Sequence, residues 1–445
     1  MKKYNIKKII DNNDLNVRSN LISFLTDNPD SLPLEILSRL AELTNNSRLE
    51  TAAYYTDQII LDNLEKELPH IDKKTIHILE PSAGVGNFLQ VIIDKYSYAD
   101  QLIIDMNDID ENSIEVNQIL NRYRNIPNNV TINYTNYDFI STKFDKQFDL
   151  IIGNPPFLKC NKDNLRKYST SLVGLNTKNM AGLFLQKAIT LSKYVTMIMP
   201  KYFLSNLDFK ETRDKVENYS IEKIIDFGEI GFKGVLIETI AIFLDTVKNI
   251  NDTYVYSVPL DITNVLDQNR LTSKQYPMWI IYRNQFFDDI SENMIFDVFK
   301  VFRDRQLTNS VLNSTGSIRV LKSRNISRVG QEIIDLNGYD SFISEEDLTK
   351  FSVSKYLHNT DVFLAPNMTY YPRVMKKPAN VLVNGSVAIL ELKSNYNIMP
   401  NQIEFLCSET FEKFYRIARN YSTRSLNIDS NSVYFFGLYN EKEEK

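Results

Sequence analysis

ILEPSAGVGNFLQVI, residues 78–92, decides how the chain is read. An apolar run ends at Glu80, a turn carries Gly84 and Gly86, and helical apolar spacing begins at Phe88. Two glycines in such a turn let the backbone come close to a ligand, and the helix that follows offers unpaired N–H groups. Any tight strand-to-helix link can use a glycine, so the turn alone is weak. The acid beside it narrows the choice. A carboxylate suits amino or hydroxyl donors, whereas a pyrophosphate would be repelled. The corner therefore predicts a nucleoside with an amino-acid tail rather than a nicotinamide dinucleotide.

Working outward, short apolar runs recur between about 75 and 245: TIHILE, QLIIDM, VTINY, FDLIIG, YVTMIM, KIIDF and ETIAIFL. Stretches with helical spacing, such as NFLQVIIDKYSY and AGLFLQKAITLSK, separate them. This alternation predicts an α/β fold with a doubly wound, mostly parallel sheet of seven strands. Residues 1–45 read as a helical lead, 46–255 as the sheet domain, and 256–440 as a mixed α+β domain. Within the last, 285–305 and 401–420 have helical spacing, and 318–395 breaks into short strand-like pieces. At 445 residues the chain has room for two such domains.

Three acids fall at the carboxyl ends of the first three strands, where open α/β sheets bind ligands. Glu80 ends the first. Asp108, in MNDIDENS, ends the second and suits ribose hydroxyls. Asp138, in NYDFIS, follows the third, where it could accept from an adenine amino group while Phe139 packs on the ring. Each acid alone reads better as a helix cap or a solvated turn; three at consecutive strand ends turn the reading towards a ligand.

At the end of the fourth strand stands NPPF, residues 154–157. One proline or glycine suffices to stop a strand, so two suggest a site. An exocyclic amino nitrogen on a heteroaromatic ring is a poor nucleophile because its lone pair is delocalised. Two fixed acceptors can draw its N–H bonds out of conjugation: the Asn154 side-chain oxygen and the Pro155 carbonyl. The prolines fix φ and add no competing N–H, and Phe157 offers a face for an extruded base.

Bulk properties bound the remaining choices. Only Cys160 and Cys407 occur, which excludes a disulfide framework and fits a cytoplasmic protein. His70, His77 and His358 are scattered, so no metal is expected. No apolar run approaches the ~20 residues of a membrane span, and the N-terminus lacks the apolar core of a signal peptide. The net charge is −5, yet residues 300–330 hold seven basic side chains against Asp304 alone. A second basic cluster, Lys159, Lys162, Arg166, Lys167 and Lys178, follows NPPF. Either is a phosphate-binding surface or an ordinary solvated one.

The set resembles the adenine-specific gamma group of S-adenosylmethionine-dependent DNA methyltransferases, of the restriction-modification type, over roughly residues 48–245. ETAAYYTDQIILDNL, 50–64, is similar to the group's first motif, although Asp57 replaces the usual proline. The resemblance implies that Tyr55, Thr56, Glu80 and Ser82 hold the methionine part of S-adenosylmethionine, with Gly84 and Gly86 in the cofactor-binding loop. It further implies that Asp108 holds the ribose, and that Asp138, Phe139 and Pro156 hold the adenine side. It makes Asn154, Pro155, Pro156 and Phe157 the catalytic corner. DFGEIGFKGVLIETIAIFL is similar to the last two catalytic motifs and makes Phe232 a second stacking face. The partner implied is double-stranded DNA, met by Lys159, Lys162, Arg166, Lys167, Arg319, Lys322, Arg324 and Arg328, with a cognate endonuclease as a possible companion. The C-terminal half is similar to target recognition domains. Methylation of protein glutamine or ribosomal RNA is the alternative that the same corner allows. A silent binding module and a fused nuclease built on Glu391-x-Lys393 are the other readings.

Overall fold

The computed structural model describes residues 4–45, 56–169, 177–232, 236–330, 332–367, 371–422 and 428–440. Tyr55 lies outside them, as do the side chains of Lys162, Asn164 and Ser169. The chain divides into two compact units, Met1–Asn269 and Arg270–Lys445.

The first unit opens with helices α1 (Ile6–Asn12), α2 (Arg18–Asp27), α3 (Leu34–Thr44) and α4 (Gln58–Glu67). Strands and helices then alternate: β1 (Thr75–Glu80), α5 (Asn87–Tyr96), β2 (Gln101–Asn107), α6 (Glu111–Asn121), β3 (Val130–Thr135), β4 (Phe148–Gly153), α7 (Lys162–Ser169), α8 (Met180–Leu191) and β5 (Ser192–Pro200). After α9 (Lys210–Val216) come β6 (Ser220–Gly228), β7 (Thr239–Asp245), β8 (Asp252–Ser257) and β9 (Ile262–Asp267). They form one sheet in the order β3-β2-β1-β4-β5-β7-β6-β8-β9.

Strands β1 to β5 pair in parallel, while β7 runs antiparallel between β5 and β6. Every residue of β4 and β7 is buried, as expected of strands covered on both faces. The sequence reading anticipates seven strands, and the structure adds an eighth and a ninth. Hairpin β8–β9 alternates buried and exposed residues, because it sits at the sheet edge with one face to solvent. It lacks the continuous apolar run that marks the inner strands. The expected domain boundary at 255 falls inside β8, and the first unit extends past the hairpin to Asn269.

The strand order reverses between β1 and β4, which diverge to either side of the sheet's starting point. Their carboxyl ends, at Glu80 and Gly153, thus flank the crevice where such sheets take ligands. The lead helices pack onto this region. Leu21, Phe24, Leu25, Leu37, Leu40 and Ala41 share a core with Val85 of the glycine turn and with Val116, Ile119 and Leu120 of α6.

The second unit is a mixed α+β assembly of short strands. One sheet has the order β10 (Phe299–Phe302), β16 (Val387–Leu392), β13 (Val362–Pro366), β14 (Met375–Lys376). A second joins β12 (Ser341–Ile343), β11 (Ile318–Leu321) and β15 (Val381–Val383). Both face a common core that includes Val320, Leu321, Leu364, Leu382, Val387 and Ile389. The helical spacing read over 285–305 is wrong beyond Ser291. Helix α10 (Gln285–Ser291) stops there, and Phe299–Phe302 pairs antiparallel with Ile389–Leu392. Backbone pairing with a buried neighbour outweighs local periodicity. The helical stretch after 400 is two helices, α11 (Pro400–Phe405) and α12 (Glu409–Ala418), parted where Ser408 accepts from the Phe411 N–H.

Candidate active site

A cavity of about 250 Å³ opens at the carboxyl edge of β1, β2 and β4. Its wall includes Thr56, Glu80, Ser82, Gly84, Asp108, Asp138, Phe139, Asn154 and Pro156. Residues from five separate stretches of sequence are thereby brought to one hollow. Gly86, Pro155, Phe157 and Phe232 do not line it.

The glycine turn explains itself locally. Gly86 has φ +83°, and a Cβ there would lie 2.4 Å from Asn117 Oδ1. Both its backbone conformation and its fit against α6 require glycine. Gly84, at φ +53°, behaves differently: a Cβ there would meet nothing within 4 Å. Its bare side is part of the cavity wall, so a ligand can lie directly against the backbone.

Asp108 fixes that turn from the neighbouring strand. Its carboxylate accepts the Gly84 N–H at 2.7 Å and the Asp110 N–H at 2.9 Å. Burial pushes the Asp108 pKa up to about 6, although these N–H bonds pull the other way. Glu80 is 1% exposed, and its Oε2 has no hydrogen-bond partner. Burial, then the charge of Asp108, hold its pKa well above the usual carboxylate range, while Arg124 opposes them. An unsatisfied buried carboxylate oxygen is costly. Facing a cavity, it is an acceptor awaiting a donor.

Asp138 is already engaged. Its carboxylate pairs with Lys167 of α7 at 2.6 Å and accepts the Ile140 N–H at 3.1 Å. Burial pushes its pKa up, but the Lys167 hydrogen bond and charge more than offset this, leaving it below the usual value. Lys167, expected at phosphates, is thus paired with a residue of the cavity wall. Phe139 packs on Phe184 with ring centroids 5.1 Å apart, and the Lys187 ammonium lies 5.2 Å from the Phe139 ring centre.

The NPPF corner is tied to the turn after β1. The Ser82 hydroxyl donates to the Asn154 carbonyl at 3.3 Å, and a Cβ on Gly153 would stand 3.3 Å from Pro81 Cδ. The Asn154 Nδ2 donates to Thr56 Oγ1 at 3.4 Å, which orients the side-chain amide. Phe157 and Phe232 meet edge to face, centroids 6.1 Å apart at 74°. The two expected stacking faces are therefore neighbours, although one comes from after β4 and the other from after β6.

Of the expected phosphate contacts, Lys159 pairs with Asp208 at 3.4 Å. In the second unit, Arg319 is held by Asp335 at 2.6 Å and Asp340 at 3.4 Å. Lys322 and Arg324 lie over one ring, Tyr339, at 4.0 and 4.8 Å, and Arg328 lies over Tyr371 at 4.0 Å. Arg324 and Arg328 are exposed. The suspected nuclease pair is otherwise occupied: Glu391 accepts from the Tyr356 hydroxyl, and Lys393 pairs with Asp297 at 2.7 Å.

Sequence reasoning missed Glu42, Asn45, Tyr137, Tyr168, Met180 and Phe184, all of which line the cavity. Met180 and Phe184 stood in a helix with ordinary core spacing. Glu42 stood in the lead, about forty residues before the glycine turn, and carried no motif.

Residues 38–232 match the family of Eco57I restriction-modification methylases. No curated protein matches the chain. Among solved structures, the chain is similar to a Listeria monocytogenes protein assigned to the class I S-adenosylmethionine-dependent methyltransferases, with 17% identity, 57% of this chain and 91% of that one covered, and a TM-score of 0.42. The type I restriction-modification methyltransferase subunit of Streptococcus thermophilus matches at 15% identity over 51% of this chain and 54% of that one, with a TM-score of 0.39. The type IIL restriction-modification enzyme MmeI, solved in complex with DNA, matches at 13% identity over 94% and 67%, with a TM-score of 0.48. The chain spans about half the length of the type I subunit it matches.

Proposed function

We propose, taking residues 38–232 as a domain of the restriction-modification methylase family, that the chain transfers a methyl group from S-adenosylmethionine to the exocyclic amino nitrogen of adenine in duplex DNA. The observation that carries this is the shared cavity: Asn154 and Pro156 of the NPPF corner line the same hollow as Glu80, Asp108 and Asp138.

The residues fit that cofactor. Glu80 Oε2 is a buried acceptor without a donor, and Gly84 leaves open space beside the backbone. Asp108 suits ribose hydroxyls, and Asp138 suits the adenine amino group. When bound, S-adenosylmethionine supplies an electrophilic sulfonium methyl. The chain's own part is to position and polarise the amino nitrogen. With its Nδ2 turned to Thr56, Asn154 presents Oδ1 to one amino N–H, and the Pro155 carbonyl takes the other. As the nitrogen attacks, positive charge grows on it, and both acceptors then bind more strongly than in the ground state. Reaching the nitrogen requires the base to leave the duplex. Phe157 and Phe232 form the aromatic pair against which it would stack. In the second unit, Lys322, Arg324 and Arg328 are the candidates for phosphate contact. Methylation of this kind would protect a site from an endonuclease of the same specificity.

The test offers the purified chain labelled S-adenosylmethionine with duplex DNA, ribosomal RNA or a mixed protein substrate, separately. Label in DNA supports the proposal. Label only in RNA or protein would overturn it and favour the glutamine or RNA reading.

A further inference from the structure

Asp138 stands between Tyr137 and Phe139, which line the cavity with it, and Phe139 packs on Phe184 of the same wall. A carboxylate set among rings can tell one planar heterocycle from another only if it is ionised and fixed in direction. Its partners meet both conditions. Oδ1 accepts the Ile140 N–H at 3.1 Å, and Oδ2 accepts from Lys167 Nζ at 2.6 Å. With a donor on each oxygen, the carboxylate plane is held against rotation. The ammonium also favours the ionised form, against the effect of burial. Lys167 itself does not line the cavity. Its side chain is 54% exposed and that of Asp138 15%, so it backs the carboxylate from the solvent side. Such a half-exposed pair adds little to stability. Its effect lies in the orientation it imposes.

The path of the chain brings Lys167 there. Beyond NPPF, the Cys160 N–H donates to the Lys178 carbonyl at 2.7 Å and the Met180 N–H to the Leu158 carbonyl at 2.8 Å. These bonds clasp the segment that precedes α7 to the start of α8, and Leu158 and Met180 join the cavity wall. On α7, the Lys167 ammonium lies 5.2 Å from the centre of the Tyr168 ring, which also lines the cavity.

We propose that Lys167 is a positioning residue for selection of the cofactor's base: it fixes Asp138 so that the cavity takes a 6-aminopurine nucleoside and rejects a 6-oxopurine. This rests on the reading of the cavity as the cofactor site. A 6-amino group donates to the carboxylate. A 6-oxo group sets one acceptor against another and leaves both without a proton between them. Held by Lys167, the carboxylate cannot turn aside to relieve that conflict. Without Lys167 it turns more freely, and selectivity falls.

The test is calorimetric titration, without DNA, with S-adenosylhomocysteine and with S-inosylhomocysteine, its 6-oxo counterpart. The proteins are wild type, Lys167→Met, Lys167→Arg, Asp138→Asn and the double variant Lys167→Met/Asp138→Asn. The ratio of the two affinities is the readout, because general damage to the fold weakens both ligands alike. Wild type should prefer S-adenosylhomocysteine by about 100-fold. Lys167→Met should bring this to about 10-fold or less, and Lys167→Arg, which can still pair with Asp138, should keep it. Asp138→Asn should also lower the preference, and the double variant should fall no further, as for two residues acting as one. An unchanged ratio in Lys167→Met would overturn the proposal, including the case where both ligands weaken equally. So would Lys167→Arg falling as far as Lys167→Met, or a further fall in the double variant, which would mean that Lys167 acts on the ligand by itself. Wild type taking both ligands equally would overturn the proposal and leave the cofactor reading standing. Wild type binding neither would overturn that reading beneath it.

Discussion

Asp108 should make the stability of the first unit depend on pH in a way that a single substitution isolates. Its pKa rises from the ordinary 3.8 to about 6 because it is buried. The folded state therefore binds a proton more tightly than the unfolded state. For a carboxylate shifted upward the sign is fixed: stability increases as pH falls through the folded value, and the gain is complete below the unfolded value. Integrated between those two values, the shift corresponds to about 3 kcal/mol at most. Between pH 7 and pH 5 the part gained is ~1.4 kcal/mol. Water entering the cavity would screen the charge, so this is an upper figure. Asp108→Asn cannot titrate and should lack the gain. The substitution also costs one acceptor, since the Gly84 and Asp110 N–H groups both point at the carboxylate, but that cost is independent of pH. The assay is urea unfolding of both proteins at pH 7 and pH 5, followed by far-ultraviolet circular dichroism. Trp279, the sole tryptophan, lies in the second unit, and its fluorescence reports that unit separately. Wild type should gain on Asp108→Asn by up to about 1.4 kcal/mol on acidification. Parallel profiles, or a wild type that loses ground, would refute the linkage.

Asn154→Ala should keep the fold and cofactor binding yet slow methyl transfer about 10²–10³-fold, by analogy with removal of one aligned transition-state partner; single-turnover rates check it. Phe157→Ala should instead act through the extruded base, at about 1–3 kcal/mol of stacking, so a mismatch opposite the target should rescue it and leave Asn154→Ala slow. Equal rescue would mean the two roles are wrongly assigned. Reversing Arg324 and Arg328 to Glu should weaken DNA binding and flatten its salt dependence by about 0.9 for each phosphate no longer neutralised, with S-adenosylmethionine affinity unchanged in calorimetry. Lys201 is buried between Asp226 at 2.7 Å and Glu238 at 3.6 Å. Lys201→Met removes the cation that both acids face and should cost about 3–5 kcal/mol at pH 7, read from urea midpoints. Unchanged midpoints would show that water reaches the pair.

The inner sheet was legible in the sequence because strands buried on both faces must be apolar throughout, as FDLIIG is. The edge hairpin β8–β9 was not, because half of each strand meets solvent and its alternation is shared with loops. The carboxyl-edge acids were legible because strand ends are punctuated by turn residues, which placed Glu80, Asp108 and Asp138 at one edge before any contact was known. Their present partners were not. The Lys167–Asp138 pair links residues 29 apart in sequence, and such a pair needs the path of the chain between them. Glu42 illustrates the same limit: its place in the cavity wall comes from where α3 docks, and docking follows from apolar packing on Val85 rather than from any pattern around residue 42.

Methylation of adenine at a defined DNA site leaves a mark that single-molecule sequencing reads base by base. Unmethylated plasmid or genomic DNA is incubated with the purified chain and S-adenosylmethionine, then sequenced with kinetic detection of modified bases. N6-methyladenine is expected at every copy of one short recurrent sequence, absent when Asn154→Ala replaces the wild type. DNA left unmodified by an active, cofactor-binding protein, or modified at cytosine instead, would contradict it.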